Sequence, residues 1–367
     1  RSLDKKIYGQ AKTEFNLASP KQLGTVLFDE LKLVDKPTKT KTGQYGTGEE
    51  ILSKLAFKHP IVAEILEWRG LVKLKNTYVD SLPNEVNKKT GRIHTTYSQA
   101  VASTGRLSSN NPNLQNIPIR TERGKEIRKA FVPRNSDYLL LSADYSQIEL
   151  RLIAELSGDE ELKTAFLRGE DIHRSTASKV FNVPLELVSR EQRSYAKTVN
   201  FGIIYGVSAF GLSQQTDLSQ KESKELIDTY FRTYPGLKNY IQSQIDFARK
   251  TGYVETILGR RRYLKNINSA NAVVRAGDER NAVNAPIQGS AADIIKIAMI
   301  RIHEQLEKEK LHSKMILQVH DELVFDVLKE EMDFVMPLVK QAMENAYPLS
   351  IPLIVDAGMG ENWLEAH

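Results

Sequence analysis

Two aspartates in the sequence stand at the ends of short apolar runs, where a carboxylate could bind a metal ion. Asp144 closes the run YLLLSAD, and Asp321 lies between the two apolar stretches of KMILQVHDELVFDV. A carboxylate at the end of a buried strand is held rigidly, as a metal ligand must be. Taken alone, each aspartate is better explained as a solvated acid that caps a helix or lies in a turn.

The two aspartates carry more weight as a pair. Hard divalent cations such as Mg²⁺ bind carboxylate oxygens, and a two-metal centre needs acids brought together from separate strands. Glu149 and Glu322 lie beside the aspartates in sequence and are rival ligands at this point. His320 could contact a substrate or could simply pack, and both interpretations stay open.

A stripe of two cations and two aromatics is the most informative pattern in the chain. Its members recur every fourth residue within RSYAKTVNFGIIYG and are Arg193, Lys197, Phe201 and Tyr205. On a helix each step of four residues rotates by only ~40°, so the side chains form one slanting line ~18 Å long. A triphosphate could lie on the cations while a base stacks on the aromatic end. The alternative is an amphipathic helix with both aromatics buried, which the neighbouring Gly202 and Gly206 disfavour.

A polar track runs through TGRLSS (104–109) and PNLQNIP (112–118). Arg, Asn and Gln side chains can reach minor-groove acceptors that all base pairs share, so the track could check the shape of a duplex. Asn284 and Gln288 could extend it, or could cap and pack a helix. A basic cluster suited to backbone phosphates follows and comprises Arg120, Arg123, Lys125, Arg128 and Lys129. A solvated surface loop is the alternative for the track and the cluster.

Several function classes are excluded by what the sequence lacks. It has no Walker loop and no G-x-G-x-x-G fingerprint, and Gly206–Phe210 departs from the G-x-S-x-G elbow at its last position. With no cysteine there is no disulfide framework, and a reducing, intracellular location fits. No apolar run reaches the length of a membrane span, and no secretory signal is present. The net charge of +5, from 51 basic and 46 acidic residues, is compatible with a polyanionic partner.

The first quarter of the chain is predicted to be a helical module with a basic tip. Residues 1–95 contain helical patterns over Leu23–Leu33 and Glu50–Leu74. Between them, the polar, Gly- and Thr-rich segment Lys36–Gly48 is typical of a flexible loop. The first residues, which lack a Met, are interpreted as a cut edge rather than a natural beginning.

The rest of the chain is predicted to combine a small sheet with helical lobes. A buried strand ends at Asp144, and the pattern is mostly helical from there to about Phe247. A third region begins near Arg280 and includes a helix over Ala291–Leu306. Lys314–Val327 is predicted to form a hairpin of two strands with an acidic tip. The sheet is therefore expected to assemble from segments that are distant in sequence.

The motifs together resemble the polymerase domain of the bacterial family A DNA polymerases. DYSQIE at 144–149, the stripe R-x-x-x-K-x-x-x-F-x-x-x-Y-G at 193–206 and QVHDE at 318–322 match the family's three principal motifs in order. TGRLSS and PNLQNIP match as well. The resemblance covers essentially the whole chain, from Phe15 to Trp363.

The resemblance implies an α+β, right-hand polymerase fold with an antiparallel-sheet palm and mostly helical fingers and thumb. Residues 1–95 would form the thumb, 96–157 and 289–367 the palm, and 158–288 the fingers. The family's core normally starts earlier, with a further strand and long thumb helices, and follows an exonuclease-like domain. The resemblance therefore implies an incomplete thumb and gives no basis for proofreading.

The resemblance implies template-directed DNA synthesis from dNTPs on primer–template DNA. Asp144 and Asp321, with the backbone carbonyl of Tyr145, would bind two Mg²⁺ ions, with Mn²⁺ as a substitute, and Glu322 would be a supporting acid. Lys197 would also donate a proton to pyrophosphate. The other contacts to the incoming nucleotide would come from Arg193, Phe201, Tyr205, His173, Gln147 and Glu149. The contacts to DNA would come from Arg106, Asn113, Asn116, Asn284, Gln288, His320 and Arg280.

The same resemblance implies a monomer in the bacterial cytoplasm, associated with the nucleoid and not with a membrane. Among rival functions, a single-subunit RNA polymerase shares the palm, but a carboxylate at Glu149 would crowd a ribose 2′-hydroxyl. An inactive DNA-binding scaffold would not need both metal-binding acids and the cationic stripe. Phe at position 201, where some members have Tyr, implies poor use of dideoxynucleotides.

Overall fold

The computed structural model describes residues 2–119 and 121–367, which form two compact units that divide between residues 94 and 95. Arg120, which the sequence analysis placed in the basic cluster, lies outside the described residues. None of the described helices is both long and apolar enough to cross a membrane.

The first unit is helical, as predicted. Its α-helices are α1 (Ser2–Ala11), α2 (Pro20–Thr25), α3 (Glu49–Ala56) and α4 (Pro60–Leu74), and π-helical turns follow at Val26–Glu30 and Lys75–Val79. Its core contains Ile7, Leu23, Leu27, Leu52 and Ile65. The predicted helix over Glu50–Leu74 is two helices, because Pro60 occupies the first turn of α4 and cannot continue a helix from before it.

The second unit contains the strands β1 (Thr96–Ser98), β2 (Ser108–Asn110), β3 (Tyr138–Tyr145), β4 (Tyr253–Glu255), β5 (Arg261–Tyr263), β6 (Lys314–Val319), β7 (Glu322–Leu328) and β8 (Val355–Gly360). It is built on a four-stranded antiparallel sheet in the order β6-β7-β3-β8. The buried strand before Asp144 and the hairpin around 320–322 are confirmed. The sheet does assemble from segments distant in sequence.

Helices account for most of the remaining chain. They are α5 (Glu122–Lys125), α6 (Ile148–Ser157), α7 (Glu160–Leu167), α8 (Ile172–Phe181), α9 (Arg190–Ile204), α10 (Ala209–Ser213), α11 (Gln220–Thr233), α12 (Pro235–Thr251), α13 (Ala272–Lys308), α14 (Met332–Glu344) and α15 (Trp363–Ala366). Short 3₁₀ turns lie at Leu82–Glu85, Glu126–Ala130, Leu185–Leu187 and Lys329–Glu331.

The helix α13 is longer than predicted. It runs for 37 residues, so it begins before Arg280, and the expected boundary at 288/289 falls inside one element. The helix starts where Asn271 caps it, and it accommodates Pro286 within its length. Small buried residues such as Ala282, Ala285 and Gly289 let α13 pack closely on its neighbours. This close packing explains why the helix continues through the expected boundary.

The helix that carries the Arg193–Tyr205 stripe is fixed at both ends. At its start Ser189 and Gln192 form a reciprocal capping box, which satisfies two otherwise unpaired N–H groups. At its end Tyr205 is the cap and Gly206 adopts φ 68°, a left-handed conformation that favours glycine. The apolar face of α9, including Val199 and Ile203, packs into the core of the second unit.

Candidate active site

The two aspartates predicted as metal ligands lie at adjacent strand ends. Asp144 pairs in register with Glu322 of β7 and with Asp356 of β8. Asp321 lies in the β6–β7 turn, and its carbonyl oxygen accepts a hydrogen bond from the backbone N–H of Tyr145 at 3.2 Å. The sheet therefore brings together acids that are far apart in sequence.

Burial and like charges make this pair hard to ionise together. Burial raises the pKa of Asp144 to about 7, and the charges of Asp321 and Glu322 add to the effect. Burial also raises the pKa of Asp321 to about 6, against the opposing influence of Arg106. Such a site favours a bound cation, because a positive charge lowers the cost of ionising both carboxyls.

Two residues beside the aspartates hold a left-handed backbone conformation. Gln147, at the start of α6, has φ 55°, and His320, in the hairpin turn, has φ 54°. Arg151 stabilises the first turn by donating to the carbonyl of Ser146 at 2.9 Å. Gln318 stabilises the second by donating to the carbonyl of His320 at 2.5 Å. For non-glycine residues this conformation costs roughly 1–2 kcal/mol, so the surrounding contacts must hold both turns.

Glu322 differs from the aspartates because its carboxylate is fully engaged. The residue is 4% exposed, and it accepts hydrogen bonds from Ser142 Oγ at 2.6 Å and Trp363 Nε1 at 2.7 Å. Arg128 Nη1 lies 3.6 Å from its second oxygen. Burial alone would raise the pKa of Glu322, but hydrogen bonds from His367, Ser142 and Trp363 lower it overall. These contacts favour a supporting role, and its part in catalysis stays a prediction.

The stripe on α9 combines an ion-paired arginine with an exposed lysine. Arg193 donates through Nε to Asp171 Oδ2 at 2.8 Å, and Asp171 also caps the start of α8. Lys197 is exposed, and Phe201 is half-buried. Tyr205 is 43% exposed, so the alternative in which both aromatics are buried does not describe this helix.

His173 lies against the stripe as a neutral ring. It is 3% exposed, its centroid lies 5.6 Å from that of Phe201, and Asn200 Nδ2 lies 3.1 Å from its Nδ1. Burial lowers the pKa of His173 to about 4 despite the opposing charge of Asp171. At physiological pH the ring can therefore meet a phosphate only as an N–H donor and not as a cation.

Glu149 is one of four predicted residues that form a single hydrogen-bonded network. Its Oε1 lies 2.6 Å from Arg106 Nη2, and its Oε2 accepts from the hydroxyl of Tyr205 at 2.9 Å. Gln288 hydrogen-bonds to the same hydroxyl. Burial, followed by the charge of Glu149, raises the pKa of Tyr205 to about 12. The charges of Arg106 and Glu149 both shift the pKa of Asp321. These hydrogen-bonded residues therefore connect the aromatic end of the stripe with the carboxylate pair.

The PNLQNIP segment presents some side chains outward and buries others. Asn113 and Asn116 are exposed, whereas Leu114 is 2% exposed. Gln115 turns toward the hairpin, where its Nε2 donates to the side-chain oxygen of Gln318 at 3.1 Å. The segment therefore supports the turn that carries His320 and Asp321, a role that the sequence analysis did not predict.

The predicted DNA-facing residues of α13 meet the end of the stripe. Arg280 is exposed, and its Cγ lies 2.7 Å from where a Cβ on Gly206 would be. Asn284 is half-buried, and its Oδ1 is buried without a hydrogen-bond partner among the described residues. An acceptor left in that state points to a missing donor.

The basic cluster only partly faces solvent. The expectation that Arg128 contacts phosphates is wrong, because Arg128 is 3% exposed and its guanidinium stacks 4.1 Å from the ring of Trp363. Arg123 is exposed. The two lysines of the cluster form ion pairs at i,i+3 spacing, Lys125–Glu122 and Lys129–Glu126, each at 2.7 Å.

Residues that the sequence analysis did not single out hold the loop before Arg106. Arg260 donates to Asp293 through Nε at 2.9 Å, and Lys296 donates to the carbonyl of Gly105 at 2.5 Å. Gly105 has φ 79°, and a Cβ there would lie 2.8 Å from Arg260. No local pattern signals these contacts, because they join segments that are distant in sequence.

Comparison with known proteins places this arrangement in a family. The model described as DNA polymerase family A matches residues 1–365. The chain belongs to DNA polymerase family A. It is 51% identical over 369 residues to DNA polymerase I of Pseudomonas aeruginosa, and 50% identical over 366 residues to DNA polymerase I of Geobacillus stearothermophilus. Both alignments cover 100% of this chain but only 40% and 42% of the relatives, so the chain spans about two fifths of their length.

A solved structure of the family has the same fold. The chain is similar to the POL domain of Pol1 from M. smegmatis in complex with DNA primer-template and dNTP, with a TM-score of 0.94 and 48% identity. The likeness covers 100% of this chain and 64% of the other. The predicted α+β polymerase fold is confirmed by this similarity and by the antiparallel sheet.

Proposed function

We propose that this chain is a DNA-directed DNA polymerase that transfers a deoxynucleoside monophosphate from a dNTP to a primer 3′-hydroxyl and releases pyrophosphate. The proposal depends above all on Asp144 and Asp321, two acids with raised pKa values at paired strand ends. The Arg193–Tyr205 stripe supports it, because the stripe reaches the acids through Tyr205 and Glu149. The primer-template and dNTP bound by the similar POL domain agree with it.

The donor set at the acids fits a divalent cation that also binds substrate. Among the described residues, no group of three or more His, Asp or Glu side chains could hold a metal ion alone. Mg²⁺ usually keeps several waters and binds through one or two carboxylates and substrate phosphates, which two aspartates and the carbonyl of Tyr145 would allow. Two such ions, Mg²⁺ or Mn²⁺, would lower the pKa of the primer hydroxyl and neutralise charge on the phosphates.

The side chains around α9 would bind the triphosphate and the base. Lys197 and Arg193 would bind phosphate oxygens, with Arg193 exchanging its ion pair with Asp171 for the substrate. Neutral His173 would add one N–H donor, and Lys197 would donate a proton to the leaving pyrophosphate. Phe201 would stack on the incoming nucleotide.

The hydrogen-bonded residues around Glu149 would select the sugar of the incoming nucleotide and guard the templating position. Glu149 is 7% exposed and fixed by Arg106 and Tyr205, so its carboxylate cannot easily move aside for a ribose 2′-hydroxyl. This rigidity favours dNTPs over NTPs and argues against the RNA polymerase alternative. Tyr205 would lie at the templating position, and Gln147, which follows the strand that carries Asp144, would contact the nucleotide.

The duplex would lie against the remaining predicted residues. Arg106, Asn284 and Gln288 would read the minor groove near the primer end, with their N–H groups donating to the acceptors that all base pairs share. His320 would contact the primer terminus. The flanking DNA contacts would come from Asn113, Asn116 and Arg280.

The domain roles belong to the same proposal. Residues 1–95 would be the thumb, 96–157 and 289–367 the palm, and 158–288 the fingers, with one boundary inside α13. The enzyme would act as a monomer on primer–template DNA of the bacterial nucleoid.

Primer extension on a DNA template tests the proposal directly. The wild-type chain should extend the primer with dNTPs in the presence of Mg²⁺ and should discriminate strongly against NTPs. Asp144→Ala should abolish extension while duplex binding is nearly unchanged, because Asp144 contacts the reacting groups and not the duplex. A variant that still extends the primer would refute the assignment of the acids. A wild-type chain that binds duplex without extending it would support the scaffold alternative.

A further inference from the structure

A buried polar network lies behind the stripe, on the side of α9 that faces α8. Asn200 precedes Phe201, and its Nδ2 lies 3.1 Å from His173 Nδ1 and 3.2 Å from Thr176 Oγ1. Thr176 Oγ1 lies 3.0 Å from the hydroxyl of Tyr234. All four network residues, Asn200, His173, Thr176 and Tyr234, are at most 3% exposed.

The contact between Asn200 and His173 favours one tautomer of the imidazole ring. The carboxamide nitrogen of Asn200 faces Nδ1 of His173 and donates, which leaves Nδ1 as an unprotonated acceptor. The single proton of the neutral ring is then on Nε2. Among the described residues no hydrogen bond to Nε2 is formed, so this N–H is available to a ligand.

The charges around His173 agree with a neutral ring. Asp171, at the start of α8, favours the protonated imidazolium, whereas Arg193 and Lys197 on α9 oppose it. Burial has the largest effect and also opposes protonation. The ring contacts Phe201 at 5.6 Å between centroids, so it lies beside the surface to which the triphosphate is proposed to bind.

We infer that Asn200 is a positioning residue for nucleotide binding, whose carboxamide holds His173 as the tautomer with its proton on Nε2. With this tautomer, the site presents an N–H donor to a phosphate oxygen beside two cations. The opposite tautomer would present a lone pair to the same oxygen and would repel it. The inference rests on the proposed function, since it assigns Asn200 to the same triphosphate site.

The tautomer can be measured by ¹⁵N NMR of the full chain with labelled histidine, with His173→Gln used to assign the signal. The wild-type spectrum should show Nδ1 unprotonated and Nε2 protonated near pH 7. Asn200→Asp places a carboxylate against Nδ1 and should make His173 titrate near neutral pH, which a merely structural role would not cause. A wild-type ring protonated on Nδ1, or an unchanged titration in Asn200→Asp, overturns the inference.

Nucleotide binding supplies the second measurement. Asn200→Leu removes the donor and should weaken dNTP binding about three- to tenfold in single-turnover primer extension, as expected for one hydrogen bond. The rate at saturating dNTP should change less. In a His173→Gln background the same substitution should have no further effect, and equal weakening in both backgrounds overturns the inference.

Tyr234→Phe is the matched control, because it removes a buried hydroxyl from the network without touching the imidazole. It should keep the Nε2 tautomer and change dNTP binding by less than about twofold. Loss of the tautomer in Tyr234→Phe would overturn the role of Asn200. The proposed function would fail by a different result, namely no Mg²⁺-dependent extension by the wild-type chain, so the two failures are distinguishable.

Discussion

Burial gives two residues of the site opposite chemical properties. A buried carboxyl such as Asp144, with its raised pKa, favours a cation nearby, because ionising it next to Asp321 is otherwise costly. A buried imidazole such as His173, with its lowered pKa, becomes a neutral donor. The same physical effect therefore separates a site for metal ions from a site for phosphate oxygens, with Arg193 and Lys197 supplying positive charge to the second.

His173 should make stability depend on pH. Its pKa is about 4 in the folded chain against an ordinary value of 6.5, so between these values the unfolded chain binds a proton that the folded chain does not. Its contribution to stability is therefore complete above pH 6.5 and is lost as the pH falls to 4. In His173→Gln, the free energy of unfolding lost between pH 7 and pH 4 should be smaller by roughly 3 kcal/mol. Urea unfolding across this range measures it, with the exposed His303→Gln as the control variant. A wild-type profile in His173→Gln would contradict the prediction.

Phe201→Tyr should ease the use of dideoxynucleotides. The new hydroxyl would lie beside the sugar of the incoming nucleotide, where it can replace a hydrogen bond that a dideoxy sugar lacks. One such bond corresponds to about a tenfold gain in dideoxy incorporation relative to dNTP. Competition between ddNTP and dNTP in primer extension measures the ratio. Phe210→Tyr on α10, an exposed phenylalanine outside the stripe, should leave it unchanged, and no gain in Phe201→Tyr would count against stacking by Phe201.

At the scale of elements, the sequence predicts what is local and misses what depends on long-range packing. The strand before Asp144 and the β6–β7 hairpin follow from local apolar patterns, the stripe helix follows from its four-residue spacing, and all are confirmed. Asp171 could have been found, since an Asp just before a helix is a typical cap. The strand β8 and the Arg260–Asp293 contact could not, because their partners come from distant segments.

Gly206→Ala should damage the site more than its backbone strain explains. Gly206 has φ 68°, and a Cβ there would lie 2.7 Å from Arg280, so either the Arg280 side chain or the end of α9 that carries Tyr205 would have to shift. Gly252 ends α12 with φ 80° and has open space around its Cβ position. Both alanine variants should lose about 1 kcal/mol of stability or somewhat more from strain. Only Gly206→Ala should reduce primer extension severalfold; equal activity in the two variants would refute the argument.

Trp363 should contribute to the stability of the fold because its N–H donates to the buried carboxylate of Glu322. Trp363→Phe keeps an aromatic ring but removes the N–H that donates to a buried carboxylate, which should cost about 1–3 kcal/mol. Trp68 also donates to an acid, Asp4, but is half-buried, so Trp68→Phe should cost less. Chemical unfolding of the two variants compares them. Equal losses would show that the buried bond to Glu322 has no special weight.

At the scale of the whole molecule, net charge says little about DNA binding. The surplus of +5 is small beside 51 basic residues, and many of these are neutralised locally by ion pairs such as Lys314–Glu307 at 3.0 Å. Only cations that face the duplex without an acidic partner release counterions when phosphates bind. The position of a charge should therefore decide its effect more than its contribution to the total.

Arg280 and Lys314 allow this distinction to be tested, because replacing either with Ala lowers the net charge by one. Arg280 is exposed and forms no ion pair with any described residue, whereas Lys314 is paired with Glu307. Arg280→Ala should reduce the slope of log affinity against log salt concentration by about 1 for a primer–template duplex. Lys314→Ala should leave the slope nearly unchanged. Fluorescence anisotropy titrations over a range of salt concentrations measure both slopes. If the slopes fall equally, the salt dependence of duplex binding follows the total charge of the protein, and the assignment of Arg280 to the DNA-binding surface is wrong.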